Sequence, residues 1–162
     1  MVGIVVNIEA EIRRLELDTP AAQHWAAAGE IEAWVHKYLL SGLGGKTNPA
    51  FSEGLKREQR WWNGPLEMQL ADLSPAVGTD PDMEYVVAED YWQRRTGALA
   101  ETFTLLEALP PLIVEYRAGE LSVRDGNTRL GAMKLLGWQT CWVVIWYNSE
   151  GDYLAHSARL FG

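Results

Sequence analysis

The chain has 162 residues, of which 48% are hydrophobic and 22% charged, and this composition predicts one globular domain over residues 1–162 instead of a disordered or fibrous chain. Its 22 acidic and 14 basic residues give a formal net charge of −8. This acidic balance disfavours nucleic acid as a partner, because binding to a phosphate backbone depends on clustered lysine and arginine.

Cysteine and histidine positions exclude most thiol and metal chemistry. Cys141 is the single cysteine, so the sequence allows no intrachain disulfide and no multi-cysteine metal centre, and it favours a reducing compartment. Because Cys141 lies in an apolar run, we expect it to be packing and not a nucleophile. His24, His36 and His156 lack the three- or four-residue spacing of a helical zinc site.

The sequence carries no feature of a targeting or membrane-spanning segment. The amino terminus lacks a basic region followed by an apolar stretch and a small-residue cleavage site, so we expect no signal peptide. Its apolar runs fall short of the ~18 residues that span a bilayer. We therefore expect a cytoplasmic protein with no membrane partner.

The amino-terminal part predicts a strand and a long helix. Residues 3–8 are β-branched and partly alternating, which is typical of a strand that opens a sheet. A helix is predicted over residues 20–41, with Thr19 as its cap and Pro20 at its first position, where the missing N–H costs nothing. Gly29 is the point at which this helix would divide.

Residues 41–81 predict an irregular segment, because Gly, Pro and Asn turn signals recur throughout it. A short helix is expected at residues 52–62. A long connection of this kind often covers a site, so one interpretation is a lid. Trp61 and Trp62 would either stack on a base or pack in the core, and packing is the favoured interpretation.

Residues 89–108 regain helical spacing, and the pair Pro110 and Pro111 should end this helix. Arg94 and Arg95 lie off its apolar face. We expect both to be solvated, with contact to a phosphate as the alternative.

The clearest pattern spans residues 112–146. It predicts a hairpin that turns at Gly119, a helix capped by Asn127 or Thr128, and a buried last strand. These elements are expected at 112–116, 120–124, 128–136 and 140–146. With the opening strand and the earlier helices, they predict an α+β fold in which helices pack on a small mixed sheet.

The junction after the hairpin is the best candidate for a functional site. A strand that ends at Asp125, followed by a glycine and a helix, places unpaired backbone N–H groups and the positive end of the helix dipole at one point. Arg129 lies in the first turn, where we expect it to be partly exposed, and its guanidinium suits phosphate. Asn127 and Thr128 offer short polar side chains, so phosphate is a natural ligand.

Two interpretations of these residues stay open. Asp125 would hold Mg²⁺ or accept a proton from a hydroxyl nucleophile, as phosphoryl transfer requires. In a purely structural interpretation, Asn127 caps the helix, Gly126 makes the turn, and Arg129 pairs with Asp125 or Glu120.

Residues 112–145 resemble the ParB amino-terminal and sulfiredoxin superfamily. The resemblance lies in Pro-Leu-Ile-Val at 111–114 and in Val-Arg-Asp-Gly-Asn-Thr-Arg-Leu-Gly-Ala-Met-Lys-Leu-Leu-Gly-Trp at 123–138. It implies a ParB/sulfiredoxin-like fold in which Gly126, Asn127, Thr128 and Arg129 bind the phosphates of a nucleotide such as ATP, ADP or CTP. Magnesium would accompany the nucleotide at Asp125.

The loop departs from each branch of that superfamily. Sulfiredoxins carry a reactive cysteine where this chain has Asn127, and partition proteins carry a Gly-Glu-Arg-Arg loop with a further arginine. Partition proteins also append a helix-turn-helix domain, which we do not expect here because only 17 residues follow Ile145. The Asp-Gly-His-His-Arg loop of the free-serine kinases is the most similar, although Asn127 and Thr128 replace both of its histidines.

Three functional hypotheses follow from the sequence. The first is a ParB-like nucleotide-binding protein, as a phosphotransferase or nucleotide hydrolase with Asp125 as catalytic residue. The second is a non-catalytic ParB-like module of phage or mobile-element type that binds a protein partner, which the missing loop histidines favour. The third, a nuclease, requires DNA contact that the net charge of −8 opposes.

Overall fold

The computed structural model describes residues 15–43 and 46–162, in which helices and strands form the expected α+β architecture. The strand predicted at residues 3–8 lies outside the described residues. The helices are α1 (Thr19–Ala27), α2 (Ile31–Ser41), α3 (Pro49–Lys56), α4 (Glu89–Ala100), α5 (Asn127–Leu135) and α6 (Glu150–Phe161). The strands are β1 (Trp61–Gln69), β2 (Ser74–Pro75), β3 (Val77–Gly78), β4 (Tyr85–Val86), β5 (Leu112–Arg117), β6 (Glu120–Asp125) and β7 (Thr140–Tyr147).

A five-stranded mixed sheet of order β1-β7-β5-β6-β2 forms the centre of the fold. Strand β7 is antiparallel to β1 and parallel to β5, and β5 and β6 form the predicted antiparallel hairpin. Strand β2 is parallel to β6, while β3 and β4 pair separately. The predicted mixed sheet, hairpin and last strand are thus confirmed.

Helices and loops cover both faces of the sheet, so its central strands are buried on each side. In β5, Ile113 faces a core formed with α1, α2 and α3, whereas its neighbours Leu112 and Val114 face a second core with Leu130 of α5. Alternate side chains of a strand point to opposite faces, so burial on both faces requires a continuous apolar run. The run at Val143–Tyr147, all buried, meets this requirement.

Residues 41–81 are not irregular throughout, because they contribute α3 and the nine-residue edge strand β1. The turn signals at Asn63–Pro65 mark a bulge in β1, where the register with β7 shifts. Gly64 has φ 115°, and a Cβ there would lie 2.6 Å from the Val143 carbonyl oxygen. Glycine and proline inside a strand therefore mark a bulge and not a loop.

The short helix predicted at 52–62 is instead Pro49–Lys56, so Trp61 and Trp62 belong to β1. Trp61 packs against one core, and Trp62 packs against the other near Trp146. The packing interpretation of this tryptophan pair is confirmed.

The helix predicted at 20–41 is two helices that divide at Gly29, whose φ is 75°. The predicted cap is wrong by one residue. Asp18 is the N-cap, and its carboxylate accepts from the Ala21 N–H at 3.0 Å. The Thr19 hydroxyl instead donates to the Leu109 carbonyl at 2.9 Å, which ties the start of α1 to the segment before β5.

The helix predicted at 89–108 ends at Ala100, before its two prolines. The Thr102 hydroxyl donates to the Leu99 carbonyl at 2.7 Å, a side-chain bond that competes with helical continuation. Phe103 then packs on Trp138, with 5.6 Å between ring centroids. Tertiary packing therefore ends this helix earlier than its periodicity predicts.

Helix α6 was not predicted, although its start has the usual signals: the Ser149 hydroxyl accepts from the Asp152 N–H at 3.1 Å. Its inner face includes a polar contact, in which the His156 Nδ1 atom bonds to the Tyr147 hydroxyl. The Asn63 amide donates to the same hydroxyl at 3.0 Å. No helix of the described residues is long and apolar enough to cross a bilayer.

The stability of the fold should decrease at acidic pH because of His156. The Tyr147 hydroxyl accepts from Asn63, and its own proton is free to be donated to an unprotonated His156 Nδ1 atom. Burial, assisted by the Arg159 charge, lowers the pKa of His156 below 6.5, and burial also lowers the pKa of His36. The unfolded chain then binds protons first, so stability is lost as the pH falls below about 6.5.

Urea unfolding between pH 7.5 and pH 5 measures this loss. The variant His156→Gln should reduce the slope of unfolding free energy against pH, whereas His24→Gln, at an exposed position of α1, should leave it unchanged. If the native chain and His156→Gln had equal slopes of unfolding free energy against pH, His156 would not be the cause of the loss of stability.

Candidate functional site

The candidate loop lies where β6 ends and α5 begins. Gly126 is the N-cap of α5 with φ 101°, and a Cβ there would lie 2.4 Å from the Leu112 side chain, so glycine is favoured. Glycine has no side chain to cap the helix. The first-turn amides of Asn127, Thr128 and Arg129 therefore point out of the helix as a group of donors at the positive end of its dipole.

The prediction that Asn127 or Thr128 caps the helix is wrong, because Gly126 is the N-cap and no side chain caps the first turn. Asn127 is only 9% exposed, and its side-chain carbonyl oxygen accepts from the Ala76 and Val77 amides at 2.9 and 3.3 Å. Its Nδ2 atom donates to the Val123 carbonyl at 2.9 Å. The side chain therefore joins the β2–β3 segment to β6 and is not available to a ligand.

Arg129 is partly exposed, as expected, but only 11% of its side chain is accessible. Its guanidinium donates to Asp125 Oδ2 and to the Tyr38 hydroxyl, each at 2.9 Å, and to the Pro110 carbonyl. The pairing of Arg129 with Asp125, one part of the structural interpretation, is confirmed. Arg129 thus lies behind the loop as a fixed positive charge.

Tyr38 completes this arrangement and was missed in the sequence, where it is one apolar position of a helix. Its hydroxyl accepts from Arg129 and lies near the Asp125 carboxylate, so Tyr38, Asp125 and Arg129 form one group, called here the Arg129 cluster. Burial raises the pKa of Tyr38 to about 12, so the phenol keeps its proton. The ring stacks on Trp34 with 5.4 Å between centroids.

The contacts of Asp125 fit a magnesium site poorly. Its carboxylate is paired with the Arg129 guanidinium, and metal binding would have to displace that cation. Among residues 15–43 and 46–162, no group of three His, Cys, Asp or Glu side chains is placed to hold a metal. One carboxylate would hold Mg²⁺ only together with the phosphates of a ligand.

The cysteine, the arginine pair of α4 and His36 have structural or solvent-exposed positions and no role in the candidate site. Cys141 is fully buried, and burial raises the pKa of its thiol to about 12, so it is not a nucleophile. Arg94 and Arg95 are exposed on α4. The His36 ring bonds to the Ser52 hydroxyl at 2.7 Å, which is a structural contact.

No protein-family model matches the chain, and no curated protein matches it. Among solved structures, it is similar to the carboxy-terminally truncated chromosome-partitioning protein ParB from Caulobacter crescentus complexed with CTP-γ-S. That match has 21% identity and a TM-score of 0.35, and it covers 52% of this chain and 44% of that one. A second match, the Pnob8-like ParB-N domain, has 17% identity and a TM-score of 0.35, and it covers 63% of this chain and 36% of that one.

Both similar structures are ParB proteins, the family that the loop resembles in sequence. The chain spans less than half the length of each, and neither match assigns a role to any of its residues.

The variant Asn127→Ala should lower the free energy of unfolding by about 2–3 kcal/mol, because it leaves the Ala76 and Val77 amides without their acceptor. Thr128→Ala, in the same helical turn, is the matched control and should change stability by less than about 0.5 kcal/mol. Urea unfolding of both variants measures the difference. Equal stabilities would show that Asn127 does not hold the β2–β3 segment.

The variant Arg129→Ala should lower the free energy of unfolding by about 2–3 kcal/mol, since it leaves the Asp125 carboxylate with no cation. Arg124→Ala is the control, because Arg124 pairs with the exposed Glu84 and such a pair contributes at most about 1 kcal/mol. If Arg129→Ala proved as mild as Arg124→Ala in urea unfolding, the Arg129 cluster would not be structural.

Proposed function

We propose that this chain is a ParB-like nucleotide-binding protein that holds phosphate at the start of α5. The observation that carries the proposal is the N-cap glycine. The φ of 101° at Gly126 and the Leu112 side chain beside it favour glycine there, and no side chain caps the amides that follow. Backbone donors at a helix N-terminus form an anion site, and phosphate is the usual anion.

The proposed phosphate contacts are mainly backbone contacts. The amides of Asn127, Thr128 and Arg129 would donate to the phosphate, while the half-buried Thr128 adds its hydroxyl. Gly126 allows a close approach, and Arg129 supplies a positive charge from behind the loop. The loop resemblance leaves ATP, ADP and CTP as the candidate nucleotides.

Binding without catalysis is better supported than phosphoryl transfer. Asp125 is the candidate catalytic residue, but to accept a proton from a substrate hydroxyl its carboxylate would have to be free of Arg129. Magnesium would neutralise the phosphates if it were bound with the nucleotide. The contacts of Asp125 support no step that depends on the metal.

The second candidate is a non-catalytic module that binds a protein partner. It is favoured because the side chains of Asp125, Asn127 and Arg129 all hold the fold together and need no ligand to explain them. Helix α6 also exposes Leu154 and Phe161, which are 57% and 65% accessible and lie on one side of the helix. A nuclease is favoured by no observation.

The proposal is tested by the melting temperature in the presence of ATP, ADP, CTP and GTP, each with and without magnesium. A nucleotide at ~100 times its dissociation constant should stabilise the fold by about 2.7 kcal/mol and raise the melting temperature by several degrees. The variant Thr128→Asp should abolish this rise, because its carboxylate would occupy the anion site. The same variant should raise the intrinsic stability by about 0.3–1 kcal/mol through the helix dipole.

Thr128→Asn, of similar size and without charge, is the control and should keep most of the nucleotide effect. If Thr128→Asp is more stable than the native chain but no longer responds to nucleotide, misfolding cannot be the cause of the lost response. If no nucleotide raises the melting temperature of the native chain, the interaction module replaces this proposal.

A further inference from the structure

Asp125 lies beside the proposed phosphate site and carries the same sign of charge as the ligand. Its Oδ2 atom bonds to the Arg129 guanidinium at 2.9 Å, and Gly126 follows it directly in the chain. We propose that the Asp125 carboxylate competes with the ligand: it binds Arg129 in the free chain, and a phosphate displaces it from that guanidinium. This inference rests on the proposed phosphate site.

The three partners of Arg129 differ in how easily a ligand could replace them. The Pro110 carbonyl belongs to the backbone, and Tyr38 is 7% exposed and stacked on Trp34. The side chain of Asp125 is the accessible partner, at 23% exposure, and it is the only charged one of the three. Carboxylate and phosphate oxygens both match the guanidinium fork, so a phosphate can take the place of this carboxylate.

The other two partners would keep the guanidinium in place during the exchange. Bonds to Tyr38 and Pro110 come from residues outside the loop, in α2 and in the segment before β5. Arg129 would therefore change its anionic partner without leaving its position. In this scheme, Asp125 lowers the affinity of the site in two ways: by like-charge repulsion of the phosphate and by occupying the cation.

The inference reverses the expected effect of removing the carboxylate. If Asp125 were a metal ligand or a base, Asp125→Asn would weaken ligand binding or abolish chemistry. If it is an internal competitor, Asp125→Asn strengthens phosphate binding. The change is nearly isosteric, and the amide oxygen still accepts a bond from Arg129.

Glu84→Gln is the matched control. The Glu84 carboxylate also pairs with an arginine, Arg124, so the variant removes the same charge and frees the same kind of cation. Arg124 bonds to Glu84 and Ser122, whereas Asp125 bonds to Arg129, so the two ion pairs share no partner. Any general effect of net charge on anion binding would appear equally in this control.

The experiment is calorimetric titration of the native chain and both variants with inorganic pyrophosphate, ATP and CTP at low ionic strength. A neighbouring charge shifts such equilibria by about tenfold. We expect Asp125→Asn to bind about tenfold more tightly than the native chain, and Glu84→Gln to bind within about twofold of it. Circular dichroism checks the fold, and Asp125→Ser removes the same charge if Asp125→Asn does not fold.

The outcomes separate the inference from the proposed function. Native binding that the Asp125 variant does not strengthen would leave the phosphate site standing and overturn the competitor. Binding by the variant alone would support the competitor and show that the native chain does not use the site for these ligands. Absence of binding by every chain would overturn both the phosphate site and the competitor. Equal gains in affinity for Asp125→Asn and Glu84→Gln would overturn the competitor, because the net charge alone would then explain the gain.

Discussion

The guanidinium of Arg129 connects parts of the chain that lie far apart in sequence. It bonds to Tyr38 in α2, to the Pro110 carbonyl before β5 and to Asp125 at the end of β6, while its own backbone begins α5. A cation that is 11% exposed must have oxygen partners, because burying it without them is costly. The position of the loop, the approach of α2 and the start of α5 are therefore set by one side chain.

The elements that sequence analysis located correctly depend on local patterns. The hairpin, α5 and β7 follow one another within 36 residues, from Leu112 to Tyr147, and each carries its own periodicity and turn residues. Strand β1 was missed because Gly64 has the sequence signature of a turn, whereas the structure uses it to bring β1 close to Val143. The early end of α4 depends partly on Phe103, whose contact with Trp138 no local pattern reveals.

Within the site, too, local patterns were predictable from the sequence and long-range contacts were not. The strand, glycine and helix that aim backbone amides at one point were predictable, because they are consecutive residues with known preferences. The partners of the side chains were not, since Asn127 bonds to a residue 51 positions away and Arg129 to one 91 positions away. Sequence therefore predicts which groups could hold an anion, but only the fold shows that Asn127 and Arg129 already have protein partners.

Because Cys141 is buried in the central sheet, the reactivity of its thiol reports on the opening of that sheet. The residue lies in β7, the strand between β1 and β5, and its thiol is fully covered with a pKa of about 12. A thiol reagent near neutral pH meets almost no thiolate while the sheet is closed, and it reacts when β7 separates from its neighbours. Because no other cysteine competes, the rate of labelling measures the opening of the central sheet in the unmodified protein.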